Sequence, residues 1–424
     1  MSTRRDFIKA GAGALSASAL LPVINRRAQG ATVVQRYAED LAGAGNILVI
    51  VELAGGCDPL NTIVPLQQYD SYASLRSRIA IPKEQVLPLY GSTTMGLAPA
   101  LSGLKPLADA GKLAVVQTVH YPSPNLSHEG SRTVYYLGDP AAGTALSRVG
   151  WIGRHSVLYG DKHNSLDLVG IGGVSPTLYA PGAKVVGINA DNQGNAALYN
   201  FQTDARFAGD RSNQLAAARV MDAASSPKPY QDLVETTQLD ALDSADAVAA
   251  ATAAYTSAIT YPQNESFAAG LKLIAKLATA TPTLGTRVFY LTLGGFDTHA
   301  DETNDLPALL TRVGNGLKAF YDDMAAHNLG DKTLVMVWSE FGRRVADNAS
   351  NGTDHGQATN MYLIGNRVKG GTYGPDPSLT DLQNGNLKFN VDFRQVYATV
   401  IDDWIGGEHA AVLDGTFTKL GFLQ

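Results

Sequence analysis

"DLPALLTRVGNGLKAFYDDMAAHNLGDK", Asp305 to Lys332, is the stretch whose reading decides the fold. Leu306, Leu309, Leu310, Val313, Leu317, Phe320 and Met324 fall three or four residues apart. That spacing lays one apolar stripe along a helix, with Asp305 near its start. On either side stand "RVFYLTL" (Arg287 to Leu293) and "TLVMVW" (Thr333 to Trp338), short runs rich in branched residues and bounded by glycine or polar clusters. Such runs read as buried strands. A helix between two of them predicts a right-handed crossover and an α/β sandwich. "NILVIVEL" (Asn46 to Leu53), "LAVVQTV" (Leu113 to Val119) and "NMYLIG" (Asn360 to Gly365) extend the pattern. The expectation is a three-layer αβα sandwich around a mostly parallel sheet buried on both faces.

Between the second and third of these strands the character changes. From about Asp204 to Thr281 the chain is alanine-rich and polar, with "RSNQLAAARVMDAASS", "DALDSADAVAAATAAYTSA" and "ESFAAGLKLIAKLATA" reading as helices. This predicts a helical insertion around 204–281 within a single domain, 31–424, because no proline- or serine-rich linker sets it apart. Glycine and asparagine in "GINADNQGNAALYN" (Gly187 to Asn200) mark loops.

The 424 residues are 45% apolar and 17% charged, with a formal net charge of −6, enough apolar content for a large core. No lysine- and arginine-rich stripe is available to neutralise a phosphate backbone, so nucleic acid is not an expected partner. The single cysteine, Cys57, excludes an intrachain disulfide and an all-cysteine metal site. At the start, "STRRDFIK" followed by "AGAGALSASALLPVI" reads as a twin-arginine export signal over residues 1–30, with "AQG" (Ala28 to Gly30) as a small-residue cleavage site. The run Ala10 to Ile24 is too short to cross a hydrocarbon core of about 30 Å comfortably. The expectations are a periplasmic or secreted protein, the twin-arginine export machinery as a partner, and no stable membrane span after processing. That route carries folded proteins, often with a metal already loaded.

Ligands of such sheets bind outside the carboxyl ends of the strands. Four candidate strand ends carry polar signatures: "LAGGCDPLNTIVP" with Asp58; "HYPSPNLSHEGSRTVYYLG" with Ser127 and His128 ahead of a helix over Ser131 to Leu137; "GGFDTHADE" with Asp297 and His299; and "SEFGRRVADNASNGTDHG" with Glu340 and His355. Carboxylate oxygens and imidazole nitrogens at one edge are what a divalent cation needs. Each residue also has a structural reading. Asp58 suits a turn or a helix cap, Ser127 a cap, Glu340 an ion pair with Arg343 or Arg344, and Asp297-Thr-His299 a hydrogen-bonded loop.

"TRRDFIK", "GGCDPLNTIVP", "SHEGS", "GGFDTHAD", "SEFGRRVADNASNGTDHG" and "VDFRQVYATVIDDWIG" occur in the order and character of an exported bacterial family, domain of unknown function 1501. The chain resembles that family over essentially its whole length. The family is similar in turn to the alkaline phosphatase and sulfatase superfamily. The resemblance implies an alkaline phosphatase-like fold and a metal-dependent hydrolase of phosphate, sulfate or related anionic esters. It implies Ser127 as the nucleophile at a helix start, with His128 beside it in the catalytic set. Asp58, Asp297, His299, Glu340 and His355 would ligate a divalent ion, whether Zn, Mn, Mg or Ca. Arg132, Arg343 and Arg344 would grip the substrate's oxygens.

The chain also departs from the superfamily. Ser339-Glu340-Phe341-Gly342 stands where Ser-Asp-His-Gly or Ser-Asp-Asn-Gly is usual, and phenylalanine cannot ligate. That predicts either a single-metal site or a second one completed by water, Asp58 and Glu340. The two-residue step from Asp297 to His299 is shorter than in alkaline phosphatases, and Cys57-Asp58-Pro59 replaces the family's Asn-Asp-Gly, with Cys57 read as buried. No Cys-x-Pro-x-Arg supports formylglycine chemistry. A noncatalytic exported member that keeps the fold to bind a ligand or support envelope assembly is the alternative function.

Overall fold

Ile47, Val49, Val51 and Leu53 join one apolar cluster while Leu48 and Ile50, between them, join another. This period-two division means that strand β1 (Ile47–Ala54) is covered on both faces. The computed structural model describes residues 45–141, 149–162, 164–197 and 244–424. The twin-arginine segment 1–30 and the part 204–243 of the helical segment lie outside these described residues.

The remaining strands of the main sheet are β2 (Leu113–His120), β3 (Leu168–Ile171), β4 (Val185–Ala190), β5 (Ala196–Ala197), β6 (Val288–Gly294), β7 (Thr333–Trp338), β8 (Thr359–Ile364), β9 (Gly371–Tyr373) and β10 (Val391–Asp392). They run in the order β9-β2-β8-β7-β1-β6-β3-β4-β5, with β10 also pairing β2. β1 is parallel to β7 and to β6, β6 to β3, and β3 to β4. β8 is antiparallel to both neighbours, β7 and β2, and β5 is antiparallel to β4. The sheet is therefore mixed and mostly parallel.

Helix α5 (Glu302–Ala326) carries the expected stripe, and Leu306, Leu310, Val313, Leu317, Phe320 and Met324 are all buried in the first cluster. α4 (Ser266–Thr279) packs beside it on the same face of the sheet. The opposite face is covered by α2 (His128–Leu137), α3 (Trp151–Tyr159) and α6 (Phe393–Val400), which contribute Tyr135, Trp151 and Tyr397. α1 (Tyr69–Leu75) lies in the loop region after β1 and buries Tyr72 in a third, smaller cluster. Helix, sheet, helix is the expected three-layer order. No helix among the described residues is long and apolar enough to cross a membrane.

Three local expectations change. The strand at Asn360 runs antiparallel, because it follows β7 through one loop and returns directly beside it with no helical crossover. The helix Ser266–Thr279, read as part of an insertion, packs on α5 and β6 and so forms a layer of the sandwich itself. The glycine-rich run at Gly187 is not all loop, since Val185–Ala190 is a strand. Gly170 and Gly187 pair across β3 and β4, where a Cβ at Gly170 would stand 2.0 Å from the Gly173 carbonyl oxygen. Close backbone approach is what glycine permits inside a strand.

The α5 stripe fixes one face of the sheet. Leu317→Ala is expected to lower the free energy of unfolding by about 2–5 kcal/mol in urea titration, whereas Thr311→Ala on the exposed side of α5 should change it by less than about 0.5 kcal/mol.

Candidate metal centre

At the end of β1 the chain must turn where no side chain fits. Gly55 and Gly56 have φ of +128° and +79°. A Cβ on the first would stand 2.4 Å from the Asp297 amide nitrogen, and one on the second 2.3 Å from the Phe341 ring. Both the conformation and the space therefore require glycine. The tight turn lets the ends of β1, β6 and β7 pack against one another.

Arg343 ties these three ends together. Its side chain is fully buried, and its guanidinium donates to the carbonyl oxygens of Gly55, Gly56 (2.7 Å), Phe296 (3.0 Å) and Thr353 (3.0 Å). It also donates to Asp297 Oδ1 at 2.6 Å. Each of its three nitrogens is committed to a protein acceptor and none of the side chain is exposed, so Arg343 cannot grip a substrate as the resemblance implied. Arg344 is exposed and donates to the Asn384 carbonyl at 2.8 Å.

Three imidazoles converge on Asp297. His355 Nδ1 lies 2.8 Å from the Leu126 carbonyl oxygen, His128 Nδ1 2.9 Å from Glu340 Oε1, and His299 Nδ1 3.3 Å from Asp354 Oδ1. Those partners accept, and in His355 and His128 the Nδ1 contact is the shorter of the ring's two, which places the proton on Nδ1 in these two rings. The other nitrogens all face the same carboxylate: His355 Nε2 at 3.2 Å and His299 Nε2 at 3.1 Å from Oδ1, and His128 Nε2 at 3.4 Å from Oδ2. In neutral rings these are lone pairs aimed at a carboxylate. Such an arrangement is repulsive unless the rings are protonated or a cation lies among them. Anchoring Nδ1 on an oxygen is how proteins orient metal-binding histidines. The donor atoms of His128, Asp297 and His355 lie within 4.8 Å of one another and could hold a metal ion.

Burial raises the Asp297 carboxyl, but the hydrogen bond and charge of Arg343 hold it below the usual range. Asp354 is likewise held low, first by its hydrogen bond from Asn348. Phe341, fully buried, stands behind two of the rings, at centroid distances of 4.9 Å from His128 and 4.6 Å from His355. It cannot ligate, but it packs the imidazoles into place.

Two residues expected as ligands are used differently. Glu340 is fully buried, and its carboxylate accepts from the Gly55 amide at 2.9 and 3.1 Å, from Ser339 Oγ at 3.3 Å and from His128 Nδ1. It orients a ligand rather than being one. Asp58 is also fully buried, ion-paired with the equally buried Arg76 and accepting from the Leu60 amide at 3.1 Å. Arg76, unremarkable in sequence, was missed because only the fold turns it inward onto Asp58. Burial raises the Asp58 carboxyl and Arg76 lowers it more, leaving it below the usual range.

Ser127 is exposed at the N-cap of α2, and its side chain makes no capping hydrogen bond. Ser131 Oγ donates to the Glu340 carbonyl oxygen at 2.5 Å, which fixes the start of α2 against the end of β7. The helix begins at His128, three residues earlier than expected, so His128 occupies its first turn. Arg132, one turn on, donates through Nε to Glu52 Oε1 at 2.6 Å. Cys57 is buried as expected, and burial pushes its thiol up to about 12.

A family profile described as Protein of unknown function (DUF1501) matches residues 179–417, more than half of the chain. No curated protein matches the sequence. Among solved structures, the chain is similar to Ps i-CgsB in complex with k-i-k-neocarrahexaose (11% identity, 88% of this chain and 73% of that one, TM-score 0.40). It is similar also to the lipoteichoic acid synthase LtaP from Listeria monocytogenes (6%, 79% and 67%, TM-score 0.35). A third likeness is to alkaline phosphatase from the Antarctic bacterium TAB5 (10%, 78% and 94%, TM-score 0.30). The α/β sandwich stands on the strand order and register described above, and these likenesses add no evidence of activity.

Beside Asp58 lies Glu302, 1% exposed, accepting from Thr298 Oγ1 at 3.1 Å, Thr353 Oγ1 at 2.6 Å and Asn61 Nδ2 at 3.3 Å. Burial, then the Asp58 charge, pushes its carboxyl from the ordinary 4.5 up to about 8. Between those values the folded chain holds a proton that the unfolded chain has released. Glu302 therefore contributes stability that is fully present below the unfolded value and lost as pH rises through the folded one. Glu302→Gln, which keeps the neutral form, is expected to show a melting temperature that falls less than that of the wild type as pH rises from about 5, near the foot of the window, to about 9, just above it. Parallel melting profiles would rule out the retained proton.

Proposed function

This chain belongs to the family described as Protein of unknown function (DUF1501), and we propose that it is an exported, metal-dependent hydrolase of phosphate, sulfate or related esters. The observation that carries this reading is the set of three Nδ1-anchored imidazoles whose Nε2 atoms all face Asp297. His128, Asp297 and His355 would hold one divalent ion, with His299 reaching the same carboxylate oxygen. When bound, such an ion polarises the ester and offsets the negative charge that develops on its oxygens.

The chain's own residues do the rest. Leu126 O and Glu340 hold the rings of His355 and His128 in one tautomer, and Asp354 faces Nδ1 of His299. Arg343 holds Asp297 in place from beneath and keeps it ionised. Ser127 presents an uncommitted hydroxyl next to His128, at the amino end of a ten-residue helix whose first amides favour an anion. Its oxygen would bond to the phosphorus or sulfur while the alcohol departs with the electron pair of the broken bond and a proton. Water would then cleave the seryl ester and regenerate the hydroxyl. The twin-arginine pattern at Arg4 and Arg5 supports export.

Elemental analysis of the full chain purified from an exporting host is expected to find about one divalent ion per chain, the number a single three- or four-ligand site binds. Asp297→Asn and His355→Ala should each lose it. Ser127→Ala should keep the ion and lower the hydrolysis of p-nitrophenyl phosphate or sulfate by roughly 10³-fold or more. A wild-type protein that neither carries nor takes up a metal would end the hydrolase reading. Metal binding without hydrolysis of any ester would favour the noncatalytic, ligand-binding alternative.

A further inference from the structure

Helix α2 buries Ser131, Val134 and Tyr135 toward the sheet and turns a second face the other way. His128, Glu129, Arg132, Thr133, Tyr136 and Leu137 share that second face at i, i+1, i+4, i+5, i+8 and i+9. With Pro176 they line a cavity of about 490 Å³. His128 belongs both to this cavity and to the cluster around Asp297, so the two adjoin at that residue.

Arg132 is unusual within the cavity. Its Nε donates to Glu52 Oε1 at 2.6 Å and to the Tyr136 hydroxyl at 2.9 Å, and its guanidinium carbon lies 5.5 Å from the Tyr136 ring centre. The two terminal nitrogens hydrogen-bond to nothing among the described residues, and about a third of the side chain is exposed. Glu52, 1% exposed, also accepts from the hydroxyls of Tyr136 (2.9 and 3.1 Å), Tyr290 (2.6 Å) and Thr292 (3.2 Å). Its capacity is filled, which leaves it a fixed counter-charge that locks the guanidinium by one edge. A planar fork held from behind with its terminal nitrogens free is preorganised to donate two parallel hydrogen bonds to a carboxylate.

We propose that this cavity receives the organic part of the ester and that Arg132 binds a carboxylate carried on it. The substrate class is then a phosphate or sulfate ester of a hydroxylated carboxylic acid. The proposal rests on the hydrolase reading of the adjoining cluster. Because Glu52 already balances Arg132 and Glu129 stands on the same wall, a planar monoanion is favoured over a second dianionic group. Glu129 and the Thr133 hydroxyl, which donates to the Glu129 carbonyl oxygen at 2.7 Å, offer acceptors to substrate hydroxyls. His128 and Arg132 are one helical turn apart, so the ester group and the carboxylate sit on neighbouring positions about 5–6 Å apart at Cβ.

Binding of 4-sulfobenzoate and of benzenesulfonate to the metal-loaded full chain, measured by calorimetry, tests this without turnover. The wild type is expected to bind 4-sulfobenzoate about ten- to hundredfold more tightly, the worth of charge-assisted hydrogen bonds. Arg132→Met should erase the difference while leaving the metal content and the benzenesulfonate affinity unchanged. If loss of the partner of buried Glu52 unfolds that variant, Glu52→Gln with Arg132→Met removes both charges and should erase the difference in a folded protein. Equal affinity for the two probes in the wild type, failure of both to bind, or an advantage that survives removal of Arg132 would overturn the proposal. Metal content, measured on the same samples, reports separately on the hydrolase reading.

Discussion

A buried guanidinium is costly unless each of its donors finds an acceptor. Arg343 meets that demand with carbonyl oxygens drawn from the segments after β1, β6 and β7, and with a single carboxylate, Asp297. The geometry of the candidate metal centre depends on this constraint. Three loops that begin on different strands are held in one arrangement because the same cation needs all of them. Asp297 is presented to the histidines from a fixed position, with one oxygen already committed. Gly55 and Gly56 make the arrangement possible by letting backbone approach backbone where a side chain would intrude.

Much of the fold was legible because its signals are local. The stripe from Leu306 to Met324 and the branched runs of β1, β2, β6 and β7 follow directly from periodicity and composition. β3 and β4 were less visible, since Gly170 and Gly187 dilute the strand pattern for the sake of close packing. The direction of β8 was not legible either, because a run of six buried residues carries no sign of which way it crosses a sheet.

At the site, residue type was readable and orientation was not. Asp297, His128, His299 and His355 meet at one edge of the sheet, where strand ends had been expected to gather. Glu340 and Asp58 carry the chemistry of ligands, yet each is turned inward. One is taken by an amide and a histidine, the other by an arginine eighteen residues away. Phe341 looked like a missing ligand in sequence and is instead the apolar backing of two imidazoles. Beside Glu340, it packs against the same His128 ring that Glu340 holds by its nitrogen.

The antiparallel course of β8 has a bearing on when the centre can form. β2, which leads to His128, pairs only with β8, β9 and β10, all from residues 359–392. Until those strands are in place, β2 has no neighbour in the sheet, and the loop that carries His128 has no fixed relation to β6. Closing such sequence-distant pairs is the slow part of folding. The placement of β2 in the sheet therefore depends on contacts distant in sequence. A chain halted just before residue 359 already possesses all three histidines, Asp297 and the Arg343 that gathers the strand ends, but it lacks every strand that pairs with β2.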